Sequence, residues 1–206
     1  MKKLLSVAAV TICLVVFGYS SGHSDTLNLQ TLPPTTYGGY YVGPASGNLD
    51  GGSLINLICD DFLTTTYVPS SFSVRVSTLS ELSGTKFGGT LDALFKYQMV
   101  GWLTSQMEIH PDQTAPIQYA IWSIFAPSTP IVPGEQQWLD AASSINPANF
   151  DFSSMRIYTA TNSTNQEFIS GGAIAVPEPA SILLLGLGLV GMGLIKRRRR
   201  KGRFSA

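Results

Sequence analysis

Between residues 90 and 107 the apolar positions Leu91, Leu94, Phe95, Met99, Trp102, Leu103 and Met107 form a stripe of three- and four-residue steps, which predicts a helix. Thr90 stands where an N-cap is expected, and Pro111 stops the pattern. A second helix is expected after Thr114, with Pro116 in its first turn and Pro127 ending it. Its apolar residues Ile117, Ala120, Ile121, Trp122, Ile124 and Phe125 surround the cylinder, so it should be largely buried. Glu135 to Ile145 reads as a third, weaker helix with Trp138, Leu139 and Ala142 inward.

The period-2 signals lie on either side of these helices. Tyr37 to Val42 reads as a first strand after a polar, Pro-containing lead-in at 23–36, and the Gly-, Pro- and Asn-rich stretch 43–52 reads as turns. Ser53 to Phe62 is apolar and β-prone, a buried strand with Cys59 near its end. Phe72, Val74 and Val76 alternate with Ser73, Arg75 and Ser77, the mark of a strand with one wet face. Met155, Ile157 and Tyr158, then Phe168 to Ala175, read as closing strands around a polar loop at 159–165.

The two ends of the chain follow a different logic. Lys2-Lys3 followed by the apolar run Leu4 to Phe17 and small residues up to Gly22 has the layout of a secretory signal peptide, which implies the Sec translocon as a partner. At the other end an uncharged run from Ala180 to Ile195 covers roughly 24 Å as a helix, just short of a bilayer core of ~30 Å, and snorkelling of basic side chains closes the gap. Lys196, Arg197, Arg198, Arg199, Arg200 and Lys201 follow it and should stay cytoplasmic. The expected layout is a signal peptide at 1–22, an exported domain at 23–175 and a tail at 176–206. The fold class is α+β: a β-rich ectodomain with two or three short buried helices, between an N-terminal signal peptide and a single C-terminal transmembrane helix.

Charge and cysteine content narrow the function. The whole chain is neutral, but residues 23–179 carry only Arg75, Lys86, Lys96 and Arg156 against all thirteen acidic residues, a net charge of about −9. Nucleic-acid binding needs a basic face, so it is excluded here, and the basic cluster belongs to the tail. Cys13 falls in the signal peptide, which leaves Cys59 as the only cysteine of the exported part. It is therefore a buried free thiol, an intermolecular partner or a chemically special group.

Pro177-Glu178-Pro179, the short apolar run and the arginine-rich end resemble, in order and position, the PEP-CTERM sorting signal of exported bacterial proteins. That resemblance implies recognition by a membrane-embedded exosortase, removal of the tail, and delivery from a single-pass inner-membrane precursor to the cell surface or extracellular matrix. Ile58-Cys59-Asp60-Asp61-Phe62 and Ile117-Gln118-Tyr119-Ala120-Ile121-Trp122-Ser123-Ile124-Phe125, with Gly39 to Pro44 and Trp102-Leu103, resemble a family of PEP-CTERM ectodomains. The cysteine and glutamine segments are also similar to the signature pair of bacterial surface thioester domains, although Ile58 departs from the aromatic or Leu usual before the cysteine. Carried over, Cys59 is the thiol and Gln118 the acyl donor of an internal thioester that a surface nucleophile opens.

Other constellations point less far. Asp60-Asp61 supplies hard oxygen ligands suited to Ca²⁺, but neighbouring strand residues face opposite ways and one pair makes no cage, so a hydrogen-bonding role at the strand end is preferred and no metal is assigned. His110, before Pro111, reads as a helix-ending residue; no nucleophile turn, zinc pattern, phosphate loop or dinucleotide fingerprint accompanies it. No cofactor and no enzymatic activity are expected. Tyr37, Tyr40 and Tyr41 offer a sugar-stacking platform. The reading is thus an exported surface protein in adhesion or in exopolysaccharide and biofilm matrix association, through a Cys59–Gln118 thioester or as a non-covalent glycan-binding or structural module with a plain buried cysteine.

Overall fold

The computed structural model describes residues 24–176. Its ten strands are β1 (Asp25–Thr31), β2 (Thr35–Tyr37), β3 (Tyr40–Val42), β4 (Ala45–Leu49), β5 (Leu54–Cys59), β6 (Ser70–Ser77), β7 (Phe150–Asp151), β8 (Arg156–Ala160), β9 (Phe168–Ser170) and β10 (Ile174–Ala175). Three α-helices, α1 (Ala93–Ile109), α2 (Thr114–Phe125) and α3 (Glu135–Ser143), lie between β6 and β7. Among the described residues no helix is long and apolar enough to cross a membrane. The signal peptide, Pro177-Glu178-Pro179, the apolar run and the basic cluster lie outside the described residues.

Six strands close into a barrel in the order β1-β4-β5-β9-β8-β6, and every pairing is antiparallel. Closure leaves these six strands without a sheet edge on which another chain could template. Inside it pack Leu27, Leu29, Leu57, Phe72, Val74, Tyr158 and Phe168. An adjacent residue on three strands points the other way: Ile58, Ile157 and Ile169 meet Tyr97, Val100 and Leu103 of α1 and Ile117 and Ile121 of α2. Strands buried on both faces read as unbroken apolar pairs, which explains Leu57-Ile58, Ile157-Tyr158 and Phe168-Ile169. Each such side chain, fully withdrawn from water, contributes about 1.5–3 kcal/mol.

Five expectations change. The lead-in at 23–36 contains β1, whose Leu27 and Leu29 are core residues, and also the start of a hairpin. The strand expected over 37–42 is that hairpin, β2 and β3 joined by Gly38-Gly39. The stretch read as turns contains β4, a central barrel strand, in which a Cβ on Gly47 would meet the Asn28 carbonyl at 2.7 Å. The helix expected from Thr90 begins at Ala93 behind Asp92; the Thr90 hydroxyl donates to the Phe87 carbonyl instead of capping, and Leu91 faces solvent. With 17 residues α1 is not short, whereas α2 is buried nearly all round and α3 covers it with Ala142 fully inward.

Candidate functional site

The barrel end where β5 stops is the place where strands, hairpin and α2 converge. Cys59 is the last residue of β5, and Gln118 is the fifth residue of α2, 59 positions later in the chain. Gln118 is a polar side chain only 1% exposed, and its carboxamide is held at both ends. Its Nε2 donates to the Cys59 carbonyl at 2.7 Å, and its Oε1 accepts from the Gly43 backbone N–H at 3.3 Å. The amide carbon is thereby fixed beside the cysteine, with a single backbone donor on its oxygen.

Gly43 is placed for this by its backbone. Its φ of +99° lies in the left-handed region that glycine adopts without strain, and a Cβ there would meet Thr114 Cγ2 at 2.9 Å. This N–H is a functional group that motif reading did not identify, because backbone donors carry no residue-type signature. The signal present in the sequence was Gly43-Pro44 directly after the short apolar strand β3.

Cys59 is a free thiol among the described residues. Its Sγ donates to the Asp61 carbonyl at 3.3 Å. Burial of the thiol, and after it the neighbouring Asp60 carboxyl, pushes its pKa far up. The sulfur is therefore protonated at neutral pH and is not a ready thiolate. The Trp122 N–H is buried with no hydrogen-bond acceptor of its own.

Cys59 and Gln118 face a cavity of about 200 Å³, which opens to solvent beside Tyr40 and Tyr41. Tyr40, Phe62 and Trp122 form an aromatic cluster over the pair, with centroids 5.1 Å (Tyr40–Phe62), 5.3 Å (Phe62–Trp122) and 6.0 Å (Tyr40–Trp122) apart. Tyr37 turns away and packs edge-on against Tyr119, whose hydroxyl donates to its carbonyl at 3.0 Å. Only two of the three platform tyrosines therefore border the cavity.

Asp60 and Asp61 follow the last residue of β5, and both are fully buried. Asp61 pairs with the Lys86 ammonium and accepts from the Leu63 N–H at 3.2 Å, the expected hydrogen-bonding role. Both Asp60 oxygens lack a hydrogen-bond donor. Burial first, then the charges of Glu167 and Asp61, raise its pKa well above the usual carboxylate range. Glu167, missed by sequence reading, accepts from Tyr97 Oη at 2.5 Å, from the Lys86 N–H at 2.7 Å and from the Thr159 hydroxyl. Among the described residues no group of three His, Cys, Asp or Glu is arranged to hold a metal ion. His110 closes α1 through its N–H to the Gln106 carbonyl and packs at a tilt against Trp138, 5.5 Å between centroids, far in role from the cysteine.

Residues 175–200 match the PEP-CTERM protein-sorting motif, which implies an exosortase-type processing partner and supports export to the cell surface. No curated protein sequence matches the chain. The chain path is similar to bacterial surface thioester domains. The N-terminal thioester domain of a surface protein from Clostridium perfringens aligns at a TM-score of 0.44 and 12% identity, covering 72% of this chain and 99% of that one. The N-terminal thioester domain of fibronectin-binding protein SfbI from Streptococcus pyogenes aligns at 0.43 and 12%, covering 72% and 93%. The N-terminal domain of the Streptococcus pyogenes pilus tip adhesin Cpa aligns at 0.43 and 16%, covering 77% and 97%. At these values the likeness transfers no residue role, and what Cys59 and Gln118 do must follow from their own geometry.

Proposed function

We propose that the exported domain, expected over residues 23–175, is a surface adhesion module that stores an internal thioester between Cys59 and Gln118 and spends it on a nucleophile of a surface or matrix component. The observation that carries this reading is the clamped carboxamide: a buried glutamine amide tied to the backbone of the only cysteine in the exported part. The two bonds from opposite ends fix the orientation of the group as well as its position.

The chemistry balances within the site. Sγ of Cys59 attacks Cδ of Gln118, the carbon–sulfur bond forms, and the carbon–nitrogen bond breaks. The thiol proton leaves with the amide nitrogen as ammonia. The Gly43 N–H, aimed at Oε1, supports the oxygen as it gains charge in the tetrahedral intermediate. Tyr40, Phe62 and Trp122 give the acyl group an apolar wall, which reduces its contact with the water that enters the cavity. The tail, with Pro177-Glu178-Pro179 as the sorting motif and Lys196 to Lys201 as a cytoplasmic stop, serves delivery and is removed by an exosortase. The processed protein remains at the cell surface or in the matrix.

The test is peptide mapping of the protein digested at low pH without reductant. The segment containing Cys59 should be joined to the segment containing Gln118, through a bond that hydroxylamine splits. Recovery of the two as separate peptides, with the Gln118 carboxamide intact, contradicts the proposal.

A further inference from the structure

The nucleophile that reaches Cys59 must pass through the cavity, so the walls of that cavity describe it. Among the described residues lining it there is no Asp, Glu, Lys or Arg. Lys86 lies behind the wall, its ammonium held by Asp61 and by the Thr64 hydroxyl. A lysine side chain arriving as an ammonium ion would find no carboxylate to pair with and would have to lose its hydration in an uncharged space. An amine is therefore poorly matched, although the domain as a whole is acidic.

What the walls do offer is of two kinds. One side is aromatic: Tyr40 and Tyr41 stand at the mouth, 41% and 50% exposed, with Phe62 and Trp122 deeper. The other side is neutral and hydrogen-bonding: the consecutive threonines Thr64, Thr65 and Thr66, together with Gln166. Gln166 is fixed, its Nε2 donating to the Asp61 carbonyl at 2.9 Å and its backbone N–H to the Thr66 hydroxyl at 2.7 Å. A flat ring with C–H faces and a rim of hydroxyls satisfies both sides at once. The volume of about 200 Å³ is below the roughly 300–1,000 Å³ of sites for drug-sized ligands, and suits one such ring while the chain it belongs to runs out over the tyrosines.

Building on the thioester reading, we infer that the acyl acceptor is a hydroxyl of a neutral polysaccharide, bound with a pyranose ring between the Tyr40–Tyr41 mouth and the Thr64–Thr66 wall. The sugar oxygen attacks the Gln118 acyl carbon, the carbon–oxygen bond forms as the carbon–sulfur bond breaks, and the hydroxyl proton passes to the Cys59 sulfur. The products are an ester and a thiol. No oxidant or other co-reactant enters.

The experiment takes the full-length chain, expressed with its own export signal and purified after export. It is incubated separately with maltohexaose and cellohexaose, with Nα-acetyl-lysine amide, and with methylamine, and intact masses are recorded. The expected result is an adduct of at least one hexasaccharide that hydroxylamine removes, with little or no lysine adduct. In a Tyr40→Ala, Tyr41→Ala double variant the ratio of sugar adduct to methylamine adduct should fall about tenfold, the loss of roughly one aromatic contact. Methylamine and lysine adducts without a sugar adduct overturn the inference and leave the thioester standing. A protein at the full calculated mass of its processed chain that methylamine does not modify overturns the thioester reading, and this inference with it, whatever sugar the protein binds. An unchanged adduct ratio in the double variant overturns the assigned sugar site.

Discussion

The cavity in front of Cys59 and the cluster behind Asp60 are separated by one peptide bond and built on opposite chemistry. The first is neutral, aromatic and open to solvent, and its polar side chains are amides and hydroxyls. The second gathers the carboxyls of Asp60, Asp61 and Glu167 around the Tyr97 hydroxyl and Lys86, with all three carboxyls buried. The difference shows a division of labour at the end of β5. Charge is collected where it ties β5, β8, β9 and α1 together, and it is kept out of the space where an acyl group must survive. If that division holds, changes in the cluster act on stability and changes in the cavity act on chemistry.

The largest effect is expected from Glu167→Ala. The Tyr97 hydroxyl, the Lys86 N–H and the Thr159 hydroxyl would all lose their acceptor in a buried site, at a total cost of about 3–5 kcal/mol in urea unfolding. Gln118→Ala, made in the Cys59→Ala background where no thioester can form, should cost less, about 1–3 kcal/mol, because only the carbonyl at position 59 and the Gly43 N–H are released, and in the native chain it should abolish the joined peptide. If Gln118→Ala destabilises more than Glu167→Ala, the division between a stability cluster and a chemical cavity fails.

Much of this contrast rests on features that a sequence displays unevenly. α1 as a helix and the all-round apolar α2 were legible because helical period and proline boundaries are local signals, although Leu91 and Leu94 of the expected stripe are exposed and Tyr97 and Val100 are buried instead. β5 and β6 were legible from β-prone runs and alternation. β1 was hidden because Leu27 and Leu29 are its only core residues and two prolines follow closely. β4 was hidden because Ala45-Ser46-Gly47-Asn48 has turn composition, while the close approach of the Asn28 carbonyl is what demands Gly47. Of the site, the residue types at 59 and 118 could be named from a resemblance, but the clamp on the carboxamide could not. One of its partners is a backbone N–H and the other a backbone carbonyl, and neither has a residue signature. The Glu167 cluster was invisible for a related reason: a lone glutamate in a polar stretch reads as a solvated charge until tertiary structure buries it.

A smaller effect is expected from pH. The folded Asp60 carboxyl holds its proton above the usual carboxylate range, while the unfolded one releases it near about pH 4. Between those two values the native state binds more protons than the unfolded state. The stabilisation is thus complete below about pH 4 and is lost progressively as pH rises toward the folded pKa. Asp60→Asn should flatten that decline in urea titrations from acid to mildly alkaline pH. An unchanged slope would show that Asp60 is not the group whose pKa is raised. Smallest of all is Tyr41→Ala, a half-exposed side chain at the cavity mouth, which should shift stability by less than about 0.5 kcal/mol. A larger loss would mean that the mouth is part of the core and not a binding surface.

The most direct measurement is the intact mass of the exported, purified protein beside its Cys59→Ala variant. A stored thioester predicts a mass ~17 Da, one ammonia, below that calculated for the processed chain from its observed termini, with the variant at its calculated mass. A native protein at the full calculated mass of its processed chain, with Cys59 open to a thiol reagent while still folded, would contradict the account.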